Sequence, residues 1–190
     1  MEEKLILASA SPRRHELLAQ AGIAHDIVIS SVDERGIDAA APREFVRAAA
    51  RAKALEVARR HPGRLVLGAD TVIALGDEII GKPGTPERTR AVLARLSGRT
   101  HEVLTGVALV RAAPAWSRET VVSSRVTFKA LAPEDIERYV ACGEGDDKAG
   151  GYAIQGEGAR LIAGTEGSFT NIVGLPMEAV RELLREADGR

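Results

Sequence analysis

Residues 65–75 form the segment that most constrains how this chain folds. The segment is rich in strand-forming residues and apolar nearly throughout, which is typical of a central strand buried on both faces of a sheet. Asp70 interrupts the apolar run. Burying a carboxylate costs on the order of several kcal/mol unless it is paired or bound to a metal. We therefore predict a functional Asp70 at the end of a buried strand, where α/β folds place ligands. The alternative is an aspartate that makes turn hydrogen bonds.

Strands and helices alternate along the chain, which predicts the α/β class. The other strand patterns occupy residues 4–9, 25–30, 78–80, 101–111 and 120–131, and the helix patterns occupy residues 12–22, 42–60, 86–96, 133–142 and 176–186. We expect two further short strands at residues 160–162 and 169–173. The turn at residues 76–77 and the consecutive strands after residue 96 favour a mixed sheet. The length of 190 residues suits one domain, or one domain with two lobes.

The composition argues against several classes of protein. The formal net charge of −1 lacks the basic excess of a general nucleic-acid binder. The single cysteine, Cys142, excludes a disulfide framework and indicates a reducing compartment. No apolar run approaches the roughly 18–20 residues of a membrane span, and the acidic start of the chain does not resemble a signal peptide. We therefore expect a cytoplasmic protein that binds neither nucleic acid nor a membrane.

Two arginines stand where the start of a helix disfavours positive charge. Ser11 and Pro12 suit the N-cap and the first helical position, so Arg13 and Arg14 fall in the first turn. A helix N-terminus is itself partly positive, which makes the misfit worth roughly 0.3–1 kcal/mol per exposed charge. An anion held by free N–H groups and by the guanidinium groups would account for both residues. The alternative is two solvated arginines on an exposed turn.

Three lysines extend the set of candidate residues. Lys53 lies on an alanine-rich helix, where a solvated lysine is the simpler interpretation. Lys82 lies between a glycine and a proline, where a plain turn is equally compatible with the sequence. Lys148 belongs to the loop at residues 143–158, whose glycines let the backbone approach a ligand closely. Loops of this length in compact domains are often functional.

The signatures of several other chemistries are missing from the sequence. The chain has no Walker loop, no dinucleotide fingerprint, no zinc spacing and no nucleophile elbow. What remains is a set of cations and carboxylates: Arg13, Arg14, Lys53, Lys82 and Lys148, with Glu34, Asp70 and Asp147. This set suits metal-assisted hydrolysis of a polyphosphate, because a hard divalent cation stabilises the charge of a pyrophosphate leaving group. We expect Mg²⁺ or Mn²⁺ as the cofactor, with Glu34 and Asp70 as its ligands.

Seven segments form an ordered set of motifs that spans nearly the whole chain. They are Leu-Ala-Ser-Ala-Ser-Pro-Arg-Arg at residues 7–14, Asp-Glu at 33–34, Lys53, Gly-Ala-Asp-Thr-Val at 68–72, Gly-Lys-Pro at 81–83, Asp-Lys-Ala-Gly-Gly-Tyr-Ala-Ile-Gln-Gly at 147–156 and Val-Gly-Leu-Pro at 173–176. The set resembles the Maf nucleotide pyrophosphatases. The resemblance implies a single domain over residues 1–190 with an elongated mixed sheet flanked by helices. It also implies two lobes around a cleft, similar to the inosine triphosphate pyrophosphatases.

The resemblance further implies an activity and a site. The activity is hydrolysis of a nucleoside triphosphate to the monophosphate and pyrophosphate by a homodimer, with clearance of non-standard nucleotides as one use. The implied proton acceptor is Asp70, and the residues implied in base selection are Arg13, Thr71 and Gln155. We expect the triphosphate to be bound by Ser9, Arg13, Arg14, Lys53, Lys82 and Lys148.

The motifs at residues 11–14 and 147–156 resemble those of the branch that prefers dTTP and UTP. A Gln155 amide offers a donor and an acceptor, and so can pair with the O4 and N3–H edge of thymine or uracil. Two alternatives stay open. One is a 7-methyl-GTP pyrophosphatase, although that branch typically has Trp-Arg in place of Arg13 and Arg14. The other is a nucleotide-binding regulator of cell division or septum formation without significant turnover, which would need the cations but not Asp70 and Glu34.

Overall fold

The computed structural model describes residues 4–146 and 148–189. The strands are β1 (Leu5–Leu7), β2 (His25–Ile27), β3 (Val66–Leu75), β4 (Glu78–Ile80), β5 (Thr100–Arg111), β6 (Trp116–Phe128) and β7 (Ile162–Glu166). The helices are α1 (Pro12–Gln20), α2 (Pro42–Arg60), α3 (Pro86–Leu96), α4 (Pro133–Ala141), α5 (Phe169–Val173) and α6 (Met177–Ala187). No helix in the described part of the chain is long and apolar enough to cross a membrane.

The strands form a mixed sheet, as the sequence predicts. Their hydrogen-bonded order is β2-β1-β3-β5-β6-β7, with β4 beside β3. Strand β1 pairs in parallel with both β2 and β3, whereas β3–β4 and β6–β7 are antiparallel. Strand β3 therefore lies in the interior of the sheet. The fold class, a mixed sheet flanked by helices, is confirmed.

The chain divides into two compact units. Unit 1 consists of the described residues up to 71 together with 105–122 and those from 174 onward, and unit 2 consists of residues 72–104 and 123–173. The prediction of one domain over residues 1–190 stays a prediction.

Unit 1 has helices on both faces of its strands, because successive strand residues point to opposite faces. In β1, Leu5 and Leu7 join a cluster with residues of α1 and α6, while Ile6 and Ala8 join a second cluster with alanines of α2. The same alternation continues along β3 and β5. Strands buried on both faces are apolar throughout, which is the pattern that the sequence showed at residues 65–75.

Helix α2 lies in direct backbone contact with the strands of unit 1. A Cβ atom on Gly68 would lie 2.3 Å from the carbonyl oxygen of Ala50, and one on Gly106 would lie 2.1 Å from that of Val46. The alanines Ala50 and Ala54 face the same strands and are fully buried. The absence of side chains at the two glycines therefore sets how closely α2 approaches β3 and β5.

Unit 2 has its own core. It contains residues of β3, β4, β5 and β6 together with α3, α4 and the segment after residue 148, among them Leu93, Phe128, Tyr139 and Tyr152. The hairpin predicted at residues 76–77 is present, with Leu75 paired to Glu78. Thr85 is the N-cap of helix α3, and its side chain accepts a hydrogen bond from the backbone N–H of Arg88.

The two short strands expected at residues 160–162 and 169–173 are wrong. Residues Gly156–Leu161 form 3₁₀ turns, and the strand β7 follows them. Residues 169–173 form the short helix α5, in which the backbone N–H of Asn171 bonds to the Ser168 hydroxyl. Short apolar runs do not distinguish a strand from a buried helical turn by periodicity. Here Ile172 and Val173 are buried by tertiary packing.

We expect the substitution Gly68→Ala to destabilise the protein by about 1–3 kcal/mol, the usual cost of overpacking a filled core. The new methyl group would meet backbone atoms of α2, which cannot rotate away. The control is Gly63→Ala, because a Cβ atom at Gly63 would meet no heavy atom within 4 Å. Urea unfolding measures both variants. Equal free energies of unfolding for the two would contradict the close approach of α2.

Candidate active site

Asp70 lies within a strand rather than at its end, which corrects the sequence-based expectation. It is flanked on both sides by residues of β3, and the whole residue is 6% exposed. The parallel pairing of β1 with β3 ends at Leu7 and Leu67, followed by one hydrogen bond from Ala8 to Leu67. Asp70 therefore lies just beyond the carboxyl end of β1. The strand end that the sequence predicts at Asp70 is therefore the end of β1, the shorter neighbouring strand, and not the end of β3.

The Asp70 carboxylate is paired with Lys53 of α2. The Lys53 Nζ atom lies 2.7 Å from Asp70 Oδ1 and 2.5 Å from Glu34 Oε1. The Lys53 side chain is 12% exposed, so it is not the solvated helix lysine that the sequence alone favoured. Glu34 is more exposed and belongs to a short 3₁₀ turn. One ammonium group thus holds two carboxylates that come from separate segments of unit 1.

The second oxygen of Asp70 has no protein partner. Asp70 Oδ2 is buried and forms no hydrogen bond with the described residues. A buried carboxylate oxygen left unpaired is costly, and such an exception calls for an explanation such as a catalytic role or a bound ion. With Oδ1 fixed by Lys53, the carboxylate is oriented so that Oδ2 remains free to accept a proton or bind a cation.

The residues present fit a divalent cation only when the substrate supplies further ligands. No group of three or more histidine, cysteine, aspartate or glutamate side chains in the described part of the chain could hold a metal. Glu34 and Asp70 are the carboxylates that Lys53 brings together, and Asp70 Oδ2 is an unsatisfied oxygen. Mg²⁺ is commonly bound by one or two carboxylates together with substrate phosphates and water. The site has this donor set.

Arg14 is bound to the protein through four hydrogen bonds. Its Nε atom donates to the Gly174 carbonyl at 2.9 Å, and Nη1 donates to the Ala69 carbonyl at 2.8 Å and to Ser9 Oγ at 3.1 Å. Its Nη2 atom donates to Thr71 Oγ1 at 3.1 Å. A guanidinium group has five N–H donors, so little of this group remains for a ligand. Arg14 instead joins the segment just after the end of β1 and the middle of β3 to the segment that precedes α6.

The guanidinium group of Arg14 also carries a buried positive charge. Burial lowers the pKa of the Arg14 guanidinium below its ordinary value, and the negative charges of Asp70 and Glu34 act in the opposite direction. Arginine nevertheless stays protonated in proteins. Arg14 therefore contributes a fixed positive charge beside the Lys53–Asp70 pair.

Arg13, the neighbouring residue, is half-buried and forms no ion pair or hydrogen bond with the described residues. Of the two arginines in the first turn of α1, it is thus the one whose guanidinium can bind an anion. Ser11 occupies the N-cap position but its side chain makes no capping hydrogen bond. The backbone N–H of Ser11 donates instead to Ser9 Oγ at 3.2 Å.

Thr71 points to the face of β3 opposite to Asp70, since neighbouring strand residues alternate. Its hydroxyl donates to the Gly174 carbonyl at 3.2 Å, accepts from Arg14 and lies 2.9 Å from the Thr105 hydroxyl. The role in base selection that the family resemblance implies for Thr71 stays a prediction.

The other three candidates belong to unit 2. The loop of Lys82 is joined to that of Lys148 by backbone hydrogen bonds from Gly150 to Gly81 at 3.1 Å and from Gly84 to Asp146 at 2.9 Å. Lys82 and Gln155 are exposed, and their side chains form no hydrogen bond with the described residues, whereas Lys148 is half-buried. Asp147, the third carboxylate of the sequence-based set, lies outside the described residues.

Sequence reasoning also missed His101 of β5, a polar residue that is 2% exposed. A signal was present in the sequence, because His101 shares one face of β5 with the apolar residues Val103, Val107 and Leu109. A histidine at an inward position of an apolar strand requires a polar partner.

We expect Arg14→Ala and Arg13→Ala to differ sharply in stability. Loss of Arg14 would remove four hydrogen bonds at buried or half-buried groups, to Ser9, Ala69, Thr71 and Gly174, which we expect to cost about 3 kcal/mol. Loss of the unpartnered Arg13 should change the free energy of unfolding by less than about 0.5 kcal/mol. Denaturant unfolding of the two variants side by side checks this. Equal stability would show that the Arg14 contacts do not hold the site together.

Comparison with known proteins places these residues in a family. The sequence model described as Maf-like protein matches residues 4–187. The dTTP/UTP pyrophosphatase of Myxococcus xanthus is 51% identical over 183 residues, which cover 96% of this chain and 92% of that protein. The dTTP/UTP pyrophosphatase of Moorella thermoacetica is 50% identical over 181 residues, which cover 95% of this chain and 93% of that protein.

Among solved structures, the Ham1 protein of Staphylococcus aureus is similar with a TM-score of 0.46 and 11% sequence identity, covering 67% of this chain and 73% of that one. This likeness is too weak to support a conclusion. The sequence matches instead cover nearly the whole chain, and the matched residues 4–187 contain Asp70, Lys53 and Arg14. The chain therefore belongs to the family of Maf-like proteins.

Proposed function

We propose that this chain hydrolyses nucleoside triphosphates to the monophosphate and pyrophosphate, with dTTP and UTP as preferred substrates. The relatives named above, both dTTP/UTP pyrophosphatases, support the proposal because they are about half identical to this chain over nearly its full length. The structural observation that carries it is the Asp70 carboxylate, with Oδ1 held by Lys53 and a buried, unpartnered Oδ2.

In the proposed reaction Asp70 is the general base. Its Oδ2 accepts a proton from a water molecule while the water oxygen bonds to the α-phosphorus. The bond between the α-phosphorus and the oxygen bridging to the β-phosphate breaks, and pyrophosphate leaves with the electron pair. Lys53 fixes the other oxygen and so orients the base, which is a condition for efficient proton transfer.

Arg13 is the proposed phosphate ligand in unit 1, because its guanidinium has no partner among the described residues. Arg14 is assigned a positioning role, since four hydrogen bonds commit it to Ser9, Ala69, Thr71 and Gly174. The proposal that Lys82 and Lys148 of unit 2 bind phosphates, and that Gln155 contacts the base, rests on the family resemblance.

We also propose a requirement for Mg²⁺ or Mn²⁺, held by Asp70 and Glu34 together with substrate phosphates. The cation would neutralise charge on the phosphates and on the departing pyrophosphate. The unsatisfied Asp70 Oδ2 supports this assignment. Excess EDTA should abolish activity, and added Mg²⁺ should restore it.

The homodimeric state, the cytoplasmic location and the lack of nucleic-acid binding remain predictions from the sequence.

Pyrophosphate release from a panel of nucleoside triphosphates tests the proposed function. We expect dTTP and UTP to give the highest kcat/KM, above CTP, dATP, GTP and 7-methyl-GTP. Thymine and uracil offer the O4 and N3–H edge that a glutamine amide can match, whereas cytosine presents the opposite pattern at those two positions. The best turnover with 7-methyl-GTP would overturn the substrate preference but keep the hydrolase. Tight nucleotide binding without pyrophosphate release would overturn the enzyme and favour a regulator.

The substitution Asp70→Asn should lower kcat by about 10²–10⁴-fold, the usual contribution of a positioned general base. The variant keeps the size of the side chain, and Lys53 keeps its contact with Glu34. The matched control is Asp77→Asn in the exposed turn between β3 and β4, which should keep full activity. A folded Asp70→Asn variant with nearly wild-type turnover would remove Asp70 from the role of base.

A further inference from the structure

His101 of β5 is a buried imidazole that the proposed chemistry does not use. Burial lowers the pKa of His101 to about 4, so the ring is neutral near pH 7. Its Nδ1 atom forms no hydrogen bond with the described residues. An unsatisfied buried polar atom costs about 1–3 kcal/mol. A contact of the other ring nitrogen, Nε2, must therefore offset this cost.

The other nitrogen of His101 meets the hydroxyl group of Tyr152. The distance from Nε2 to Tyr152 Oη is 2.7 Å, and both side chains are buried in the core of unit 2. The ring of Phe128 packs edge-on against both of them, with centroid distances of 5.3 Å to His101 and 4.9 Å to Tyr152. The bond joins residues 51 positions apart in the sequence, and it ties strand β5 to the segment that follows Lys148.

The segment from Tyr152 to Gly158 is held at both ends. At its start, the backbone N–H of Ala153 donates to Tyr139 Oη at 3.1 Å, beside the Tyr152–His101 bond. At its end, the backbone N–H of Gly158 donates to Glu144 Oε2 at 2.9 Å. The segment therefore takes its position from contacts of Tyr152, Ala153 and Gly158 with the rest of unit 2.

Gln155 lies between these attachment points. Its side chain is exposed and forms no hydrogen bond with the described residues. The side chain is therefore available to a ligand, and the position of its backbone depends on the attachments on either side. Hydrogen bonds weaken steeply when their geometry is poor, and a site about 1 Å too loose loses function.

We propose that His101 is a positioning residue for pyrimidine selection, which it supports by holding Tyr152 and hence the backbone that carries Gln155. The inference rests on the proposed function of Gln155 as a contact to the base. His101 touches neither the phosphates nor the reacting atoms in this assignment. Its loss should therefore impair discrimination between uracil and cytosine more than it impairs the hydrolytic step at Asp70.

The test compares His101→Phe, Tyr152→Phe and the double variant by the ratio of kcat/KM for UTP to that for CTP. Each single change removes one partner of the bond while keeping an aromatic ring. We expect each to lower the ratio about 3- to 10-fold, the range that the net strength of one hydrogen bond allows, mainly through a higher KM for UTP. The matched control is His61→Phe, since the side chain of His61 forms no hydrogen bond with the described residues.

Because both single variants remove the same bond, their effects should not multiply. We expect the double variant to have a ratio no lower than that of the worse single variant, as a double-mutant cycle shows for coupled residues. A loss of stability alone would lower activity on UTP and CTP equally. An unchanged ratio in both single variants, or multiplied effects in the double variant, would overturn the proposal. If His101→Phe does not fold, Tyr152→Phe, which loses one oxygen atom, decides the outcome.

Amide hydrogen exchange supplies a readout that does not need activity. Residues 152–158 should exchange faster in Tyr152→Phe and His101→Phe than in the wild-type chain and in His61→Phe. Unchanged exchange there would overturn the positioning role. A wild-type chain that does not prefer UTP to CTP would instead refute the base preference in the proposed function. The exchange data do not depend on that preference, so they test the positioning role separately.

Discussion

The ion pair between Lys53 and Asp70 is the interaction on which the site depends. Asp70 is buried within β3, and its charge is tolerable because the Lys53 ammonium lies 2.7 Å away. Removing one partner of a buried pair usually costs about 3–5 kcal/mol, because the other charge is left without compensation. The pair forms because α2 lies against β3 at Gly68, two residues before Asp70 on the same face of the strand. The packing of Gly68 against α2 thus decides where the Asp70 carboxylate is held.

Arg14 stabilises the same region from the opposite face of β3. Through Ser9, Ala69, Thr71 and Gly174 it connects three segments that are distant in the sequence. A single guanidinium does this because its donors are rigid and spread in one plane. Its neighbour Arg13 has the same chemistry but no partner among the described residues. Two adjacent arginines in one motif therefore differ in what the fold does with them: Arg14 holds the site together, whereas the guanidinium of Arg13 is not used by the described residues.

The long strands and helices were predictable from the sequence, whereas the short elements at residues 160–162 and 169–173 and the contacts of the site were not. The strand at residues 66–75 and the helix at residues 42–60 follow from apolar pattern and helix-start signals. The burial of Lys53 depends on how α2 packs against β3, which the sequence of α2 does not reveal. For Arg14 a local signal existed, because it lies four residues before the buried Leu18 and so shares its face of α1. For His101 the signal was its place on an inward strand face.

A crystal structure of the protein with Mg²⁺ and a non-hydrolysable dUTP analogue tests the central claim most directly. That claim is that Lys53 fixes one oxygen of Asp70 so that the other can act on the α-phosphate. We expect the α-phosphorus to lie beside Asp70 Oδ2, with a water molecule or a divalent cation between them and the Lys53–Asp70 contact kept. A nucleotide bound with its α-phosphate away from Asp70, and Oδ2 still without a partner, would contradict the account.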